Sequence, residues 1–100
     1  MSLLKNPCHP GEVLAELYLK PTRMSAIELA RRLNVPRTRI ERLIREETAL
    51  SVDTAMRLAK FYGTSAEYWI NLQRARDLAQ ARTALDLSEI TPLSAARLGA

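Results

Sequence analysis

Hydrophobic and polar positions alternate with a helical period along most of this chain, most clearly over residues 25–45, SAIELARRLNVPRTRIERLIR. The apolar residues of this stretch form two short stripes at helical spacing: Leu29, Ala30 and Leu33, then Ile40, Leu43 and Ile44. Between the stripes, Asn34 tolerates a left-handed backbone and Pro36 suits the first turn of a new helix. The pattern therefore predicts two short helices joined by a tight turn.

Ser25 and Glu28 stand three residues apart at the start of this stretch, which is the spacing of a capping box. In that motif each side chain accepts the backbone N–H of the other residue. No histidine or second carboxylate accompanies Glu28 in the motif, so we interpret it as a helix cap and not as a catalytic acid.

Three further helices are predicted, one before this pair and two after it, which makes the chain an all-α domain of five helices. The first opens at residues 9–12, HPGE, and we expect Pro21 to end it. The fourth begins at Ser51 and ends at Gly63. The fifth follows directly, and along one side of it we expect a line of mostly apolar residues: Trp69, Leu72, Ala75, Leu78 and then Ala79 or Arg82. Because aromatic residues at helical spacing are usually buried, we expect Trp69 in the core and not as a base-stacking platform.

The fifth helix spans about 20 residues and about 30 Å, more than a domain of this size needs. We expect its far half to project or to pack against another molecule, although folding back as core is the alternative. Residues 85–93 alternate as a short extended segment does, and residues 94–100 are expected to be disordered. The predicted organisation is a flexible arm over 1–8, a helical domain over 9–84 and a tail over 85–100.

A homodimer is predicted on the alanine-rich face of the fifth helix and on the tail. Proteins that carry a helix-turn-helix, the arrangement predicted for residues 25–45, commonly dimerise so that each copy binds one half of a DNA site. The residues expected in that interface are Ala75, Leu78, Ala79, Leu85 and Ile90.

Charge is concentrated on the central helix pair. Residues 31–45 carry six arginines against one acid, which leaves +5, whereas the whole chain carries +4. Two helices joined by a tight turn, with arginines on the second, form the helix-turn-helix arrangement that places a recognition helix in the DNA major groove. The alternative is a solvated basic face on an ordinary bundle.

Particular arginines suit particular DNA contacts. Arg37, Thr38 and Arg42 lie on the exposed side of the predicted recognition helix. An arginine can bind guanine O6 and N7 together, and a threonine methyl can meet a thymine methyl, so these three are predicted to contact bases. Phosphates are expected at a helix N terminus and at flanking arginines: Ser25, Arg39 and Arg45. Arg31 and Arg32 are interpreted as solvated.

Other chemistry finds little support in the composition. The single cysteine, Cys8, cannot form an internal disulfide, and with His9 it makes only one pair of potential ligands, so no metal site is predicted. One histidine without a nucleophile–base arrangement predicts no enzyme and no cofactor. No apolar run has the length of a signal peptide or membrane span, which favours the cytoplasm without membrane contact.

Three phrases of the chain together resemble the HigA family of antitoxins, within the phage-repressor-like helix-turn-helix class. They are HPGEVLAELYL at 9–19, SAIELARRLNVPRTRI at 25–40 and the stretch 50–79. The helix-turn-helix phrase alone is widely shared. The combination of HPGE, the GTSxxxWxNLQ phrase at 63–73 and a long trailing helix is much narrower.

The resemblance implies a five-helix repressor-like domain that dimerises, binds an inverted-repeat operator in double-stranded DNA and represses its own operon. It also implies a partner toxin, a HigB-like ribonuclease that the antitoxin holds inactive. Two rival functions stay open. One is a stand-alone phage-type transcription regulator without a toxin, and the other is an interaction module whose basic face meets an acidic protein or RNA.

Two positions depart from the pattern of that class. Ala26 stands where glutamine is often found, and Glu46 and Glu47 stand where asparagine and glycine often precede a basic residue. Acids near a phosphate backbone are repulsive. The loop after the recognition helix is therefore expected either to turn away from DNA or to weaken its binding.

Overall fold

The computed structural model describes residues 6–99, without the side chains of residues 95 and 98. Five helices make up this part of the chain, as predicted, and no strand occurs in it. The first, α1, begins over Pro10–Val13, widens to a π-helix over Leu14–Leu19 and ends with Lys20–Thr22. The others are α2 (Ala26–Leu33), α3 (Arg37–Ile44), α4 (Val52–Tyr62) and α5 (Ala66–Ala84).

The prediction that Pro21 ends α1 is wrong, because the helix continues through it to Thr22. The wider π-turn that precedes Pro21 relieves the clash between a proline ring and the carbonyl of the previous turn. The Thr22 hydroxyl donates to the Tyr18 carbonyl at 2.6 Å and so replaces part of the lost backbone bonding.

Helices α1 to α4 all end with a residue in the left-handed conformation: Arg23, Asn34, Glu46 and Gly63. In each case the next residue donates its N–H to the carbonyl five positions back, at 2.9–3.1 Å, which is the Schellman motif. Glu46, with φ 61°, takes the place of the glycine that the sequence lacks after α3. The chain therefore turns sharply between helices, and α2 and α3 form the predicted helix-turn-helix.

Trp69 is fully buried, which confirms its prediction as a core residue. Its ring lies 5.1 Å from the rings of Tyr18 and Tyr68 and 6.4 Å from that of Tyr62, measured between centroids. Its Nε1–H donates to Thr64 Oγ1 at 2.8 Å, so the one polar group of the indole is satisfied. This aromatic cluster joins α1, α4 and α5.

The apolar line predicted along α5 is wrong. Trp69 and Gln73 are the buried residues of this helix, whereas Ala75 and Leu78 are exposed. Steps of three residues turn 60° short of a full helical circle, so the predicted line rotates away from the core after one turn. The inward line follows steps of three and four instead and reaches the half-buried Arg76.

The end of α5 projects from the domain, in agreement with the prediction from its length: residues 82–84 are exposed, whereas Arg76, Ala79 and Ala81 are half-buried. The described residues extend over 57 × 27 × 26 Å. Residues 85–93 form neither helix nor strand, and the Asp86 carboxylate accepts the N–H and O–H of Ser88 in a local turn. The predicted disorder after residue 93 is wrong for Ala95–Leu98, which form a 3₁₀ turn. No helix in the described part of the chain is long and apolar enough to span a membrane.

Candidate nucleic-acid interface

α3 is held from behind by its apolar side. Ile40 and Leu43 are buried, as predicted, and Ile44 is half-buried. This leaves Arg37, Thr38 and Arg42 exposed on the opposite side. A helix that buries one face and presents arginines on the other can enter the DNA major groove without disturbing the core.

Thr38, Arg39 and Arg42 open onto one groove of about 520 Å³ between α3 and the N terminus of α4. Its other lining residues are Pro36, Leu43, Thr48, Ala49, Leu50, Ser51, Asp53 and Thr54. The groove joins two of the predicted base contacts to one predicted phosphate contact.

The predicted phosphate contacts differ in their partners. Ser25 accepts the N–H of Glu28 at 3.0 Å, which is one half of the predicted capping box. The Glu28 carboxylate lies 3.5 Å from Arg32 instead of completing the box. Arg45 is exposed and has no carboxylate within ion-pair distance among residues 6–99, whereas Arg39 pairs with Asp53 on α4. Asp53 stands in the first turn of α4.

The acidic loop after α3 is divided between two environments. The carboxylate of Glu46 pairs with Arg76 of α5 at 3.6 Å, and both side chains are largely buried. Glu47 is exposed. The sequence left two alternatives for this loop, that it turns away from DNA or that it weakens DNA binding. Glu46 fits the first, because its carboxylate is turned towards Arg76 of α5.

Gln73 and Arg76 are positioning residues that the sequence analysis missed. Gln73 Oε1 accepts the N–H of Leu50 at 2.7 Å, and Gln73 Nε2 donates to Asp77 at 2.8 Å. α5 thus holds both ends of the loop between α3 and α4, through Glu46 and through Leu50. The sequence does place Gln73 four residues and Arg76 seven residues after Trp69, which is the spacing of one helix face, so their inward position could have been inferred from the burial of Trp69.

α1 supports α3 from behind through a glycine. A Cβ built on Gly11 would lie 1.8 Å from the Leu43 carbonyl oxygen, so no other residue fits there without displacing backbone. His9 caps α1 next to it, with Nδ1 accepting the Gly11 N–H at 2.9 Å. The HPGE phrase is therefore a contact between α1 and the recognition helix. No pattern in the sequence had marked Gly11 for this role.

Burial lowers the pKa of His9 below its ordinary value of 6.5, aided by the nearby Arg76 and opposed by Glu46 and the Thr48 backbone. Well above pH 6.5 His9 is neutral in both states; as the pH falls through 6.5, the unfolded chain binds a proton that the folded chain resists. We expect the free energy of unfolding to fall as the pH drops through 6.5 towards the lower folded pKa. Because His9 is the one histidine, His9→Asn, which keeps a capping oxygen, should flatten this profile in denaturant titrations. An unchanged slope in this variant would contradict the assignment.

Of the residues predicted for a dimer interface, Ala75, Leu78 and Ala79 lie on α5, whereas Leu85 and Ile90 lie in the tail after it. Leu78, Leu85 and Ile90 are 54%, 61% and 68% exposed, and Ala75 is also exposed. Ala79 lines a shallow cavity with Asn6 and Pro7, so the end of the predicted N-terminal arm covers it in part. Residues 1–5 of that arm lie outside the described part of the chain.

Within residues 6–99, no group of three or more histidine, cysteine, aspartate or glutamate side chains is placed to hold a metal ion.

Comparison with known proteins gives a consistent result. The model of the helix-turn-helix family matches residues 17–69, from α1 to Trp69. Virulence-associated protein I of Dichelobacter nodosus is 44% identical over 87 residues, which cover 86% of this chain and 81% of that protein. Antitoxin HigA-1 of Vibrio cholerae is 32% identical over 78 residues, which cover 78% of this chain and 73% of that protein. The Pseudomonas aeruginosa antitoxin HigA, solved with the higBA promoter, superposes with a TM-score of 0.81 at 38% identity over 88% of this chain and 99% of that one.

Proposed function

This chain belongs to the HigA family of helix-turn-helix antitoxins, and on that premise we propose that it is the antitoxin of a toxin–antitoxin system that represses its own operon. The observation that carries the proposal is the exposed arginine face of α3. Arg37, Arg42 and Arg45 have no carboxylate within 4 Å among residues 6–99, so their charge is available to a polyanion. The operator is double-stranded DNA with an inverted repeat.

In the proposed complex, Arg37, Thr38 and Arg42 contact base edges in the major groove. The N terminus of α2 at Ser25 and the exposed Arg45 contact phosphates on either side. Arg39, on the flank of α3, contacts a further phosphate in this proposal. A dimer with two-fold symmetry presents two copies of α3 about 34 Å apart, which sets half-site centres one helical turn apart.

Arg42→Ala is expected to weaken operator binding by about 1–3 kcal/mol and to relax the preference at one base pair, because a bidentate contact to guanine is lost. The measurement is a fluorescence-anisotropy titration with an inverted-repeat duplex selected by the wild-type protein from a random library. Single-base variants of that duplex are titrated in parallel. Arg31→Ala is the matched control, since Arg31 is exposed on α2 outside the groove. An unchanged base preference in Arg42→Ala would assign the arginine face to another partner.

The dimer is proposed on the outer face of α5 and on the tail. Leu78, Leu85 and Ile90 are each more than half exposed, so their apolar side chains lack full cover from residues 6–99. Exposed large apolar side chains, where they form a patch, commonly mark a protein interface. Residues 85–100 then belong to the interface and not to the helical domain.

Leu78→Asp is expected to give a monomer with weak operator binding, because a charge cannot be buried between two copies of α5 without a partner. Leu17→Asp on α1 is a matched control, since Leu17 and Leu78 are both 54% exposed. Sedimentation at micromolar concentration separates the two forms. Deleting residues 77–100 is a harsher version that also removes the hydrogen-bond partner of Gln73. A dimer that persists in Leu78→Asp would place the interface elsewhere.

The proposed second partner is a HigB-like ribonuclease, which the antitoxin binds and inactivates. Family membership supports this part of the proposal, and co-expression tests it. We expect the chain to co-purify with the product of the neighbouring gene and to suppress its ribonuclease activity. If the product of the neighbouring gene neither binds this chain nor cleaves RNA, the alternative is favoured, a stand-alone transcription regulator with the same DNA interface.

A further inference from the structure

One carboxylate is shared by arginines of two helices. Asp53 Oδ1, near the start of α4, lies 2.7 Å from Arg39 Nη1 of α3 and 2.8 Å from Arg57 Nε of α4. Arg57 also donates its Nη1–H to the Leu33 carbonyl at 2.8 Å, at the end of α2. These four residues, the Asp53 cluster, connect α2, α3 and α4 beside the groove that opens on the arginine face.

The position of Arg39 conflicts with its pairing. It lines the same groove as Thr38 and Arg42, so it lies within the surface that is proposed to meet DNA. Yet its charge is already compensated by Asp53 in the free protein, unlike that of Arg42. The hydrogen bonds from Arg57 and then from Arg39 hold the pKa of Asp53 below its usual value, so the carboxylate is ionised at neutral pH.

We propose that Asp53 limits the affinity of this interface for DNA by competing with phosphate for Arg39. The inference rests on the proposed DNA-binding function. To reach a phosphate, Arg39 must leave Asp53, and the carboxylate that remains then repels the phosphate backbone. The gain from the new ion pair is thus offset by the loss of the old one. Because phosphates carry no sequence information, the limit applies to operator and unrelated DNA alike.

Arg57 makes the competition specific to Arg39. Its bond to the Leu33 carbonyl does not involve Asp53, so Arg57 stays attached to the end of α2 when the carboxylate is removed. Asp53→Asn therefore releases mainly Arg39. The asparagine has the shape of the aspartate and remains on an exposed surface, which keeps the fold of α4.

The experiment compares Asp53→Asn with the wild type on two duplexes of about two helical turns, the selected inverted repeat and a scrambled sequence. We expect binding about threefold to tenfold tighter on both, with the ratio between them unchanged. The plot of log affinity against log salt should become steeper by about one, as one phosphate contact is gained. Asp53→Glu, which keeps the carboxylate, should bind as the wild type does.

Two controls separate this mechanism from simple charge removal. Glu47→Gln removes an exposed negative charge that has no arginine partner among residues 6–99, and should tighten binding only slightly and mainly at low salt. In an Arg39→Ala background, Asp53→Asn should retain less than about a twofold effect, like that of Glu47→Gln. Thermal unfolding of each variant confirms that titrations are made on folded protein.

Either of two results would overturn the inference. Weaker binding by Asp53→Asn would mean that Asp53 holds Arg39 in its binding position. An equal gain with and without Arg39 would mean that Asp53 acts only as a repulsive charge. In both cases the wild type still prefers the inverted repeat to the scrambled duplex. If the proposed function itself fails, the wild type shows no preference between the two duplexes, so the two failures can be told apart.

Discussion

Trp69→Ala is expected to lower the free energy of unfolding by about 3–5 kcal/mol, the usual cost of removing a large buried aromatic side chain. The ring is fully buried among Tyr18, Tyr62 and Tyr68, so the surrounding helices cannot close the cavity by moving one side chain. The Thr64 hydroxyl also loses its donor. The measurement is equilibrium unfolding in urea.

Trp69→Phe is the milder change, because it keeps one aromatic ring in the core and removes the rest of the indole together with its hydrogen bond to Thr64. We expect it to cost about 1–2 kcal/mol. DNA binding by Trp69→Phe should equal that of the wild type at a temperature where both are folded. Lost DNA binding with unchanged stability in Trp69→Ala would make Trp69 a base-stacking residue after all.

Gly11→Ala is expected to cost about 3 kcal/mol or more, at the upper end of what overpacking does. The added methyl group would lie 1.8 Å from the Leu43 carbonyl oxygen and 2.6 Å from its carbon, both backbone atoms of the recognition helix. α1 must therefore separate from α3. The variant should unfold at lower urea concentration and, where still folded, should bind operator more weakly because α3 is displaced.

Gly63→Ala is the control for this prediction. Gly63 has φ 71°, but no atom lies within 4 Å of the Cβ that alanine would add. Its cost should be only the left-handed strain of about 1 kcal/mol, with operator affinity unchanged in the folded protein. If Gly11→Ala were no worse than Gly63→Ala, the close packing of α1 on α3 would not exist in solution.

Local patterns in the sequence determined the elements of this protein. Helical spacing identified all five helices and the buried side of α3, because each short helix has to bury one apolar face. Caps at Ser25 and Ser51 and the turn at Asn34 were also readable, since they depend on neighbouring residues only. The arginine face of α3 followed from the same spacing, and its contacts with bases and phosphates remain proposals.

Contacts between residues far apart in the chain were decided only by the tertiary structure. Asp53 meets Arg39 across 14 residues, and Gln73 meets Leu50 across 23, so no local period signals either pair. Gly11 acquires its role only when Leu43 is packed against it. Sequence patterns show which residues share a helix face. The other helix that each face meets depends on how all five pack at once, and that packing decides which arginines keep an uncompensated charge.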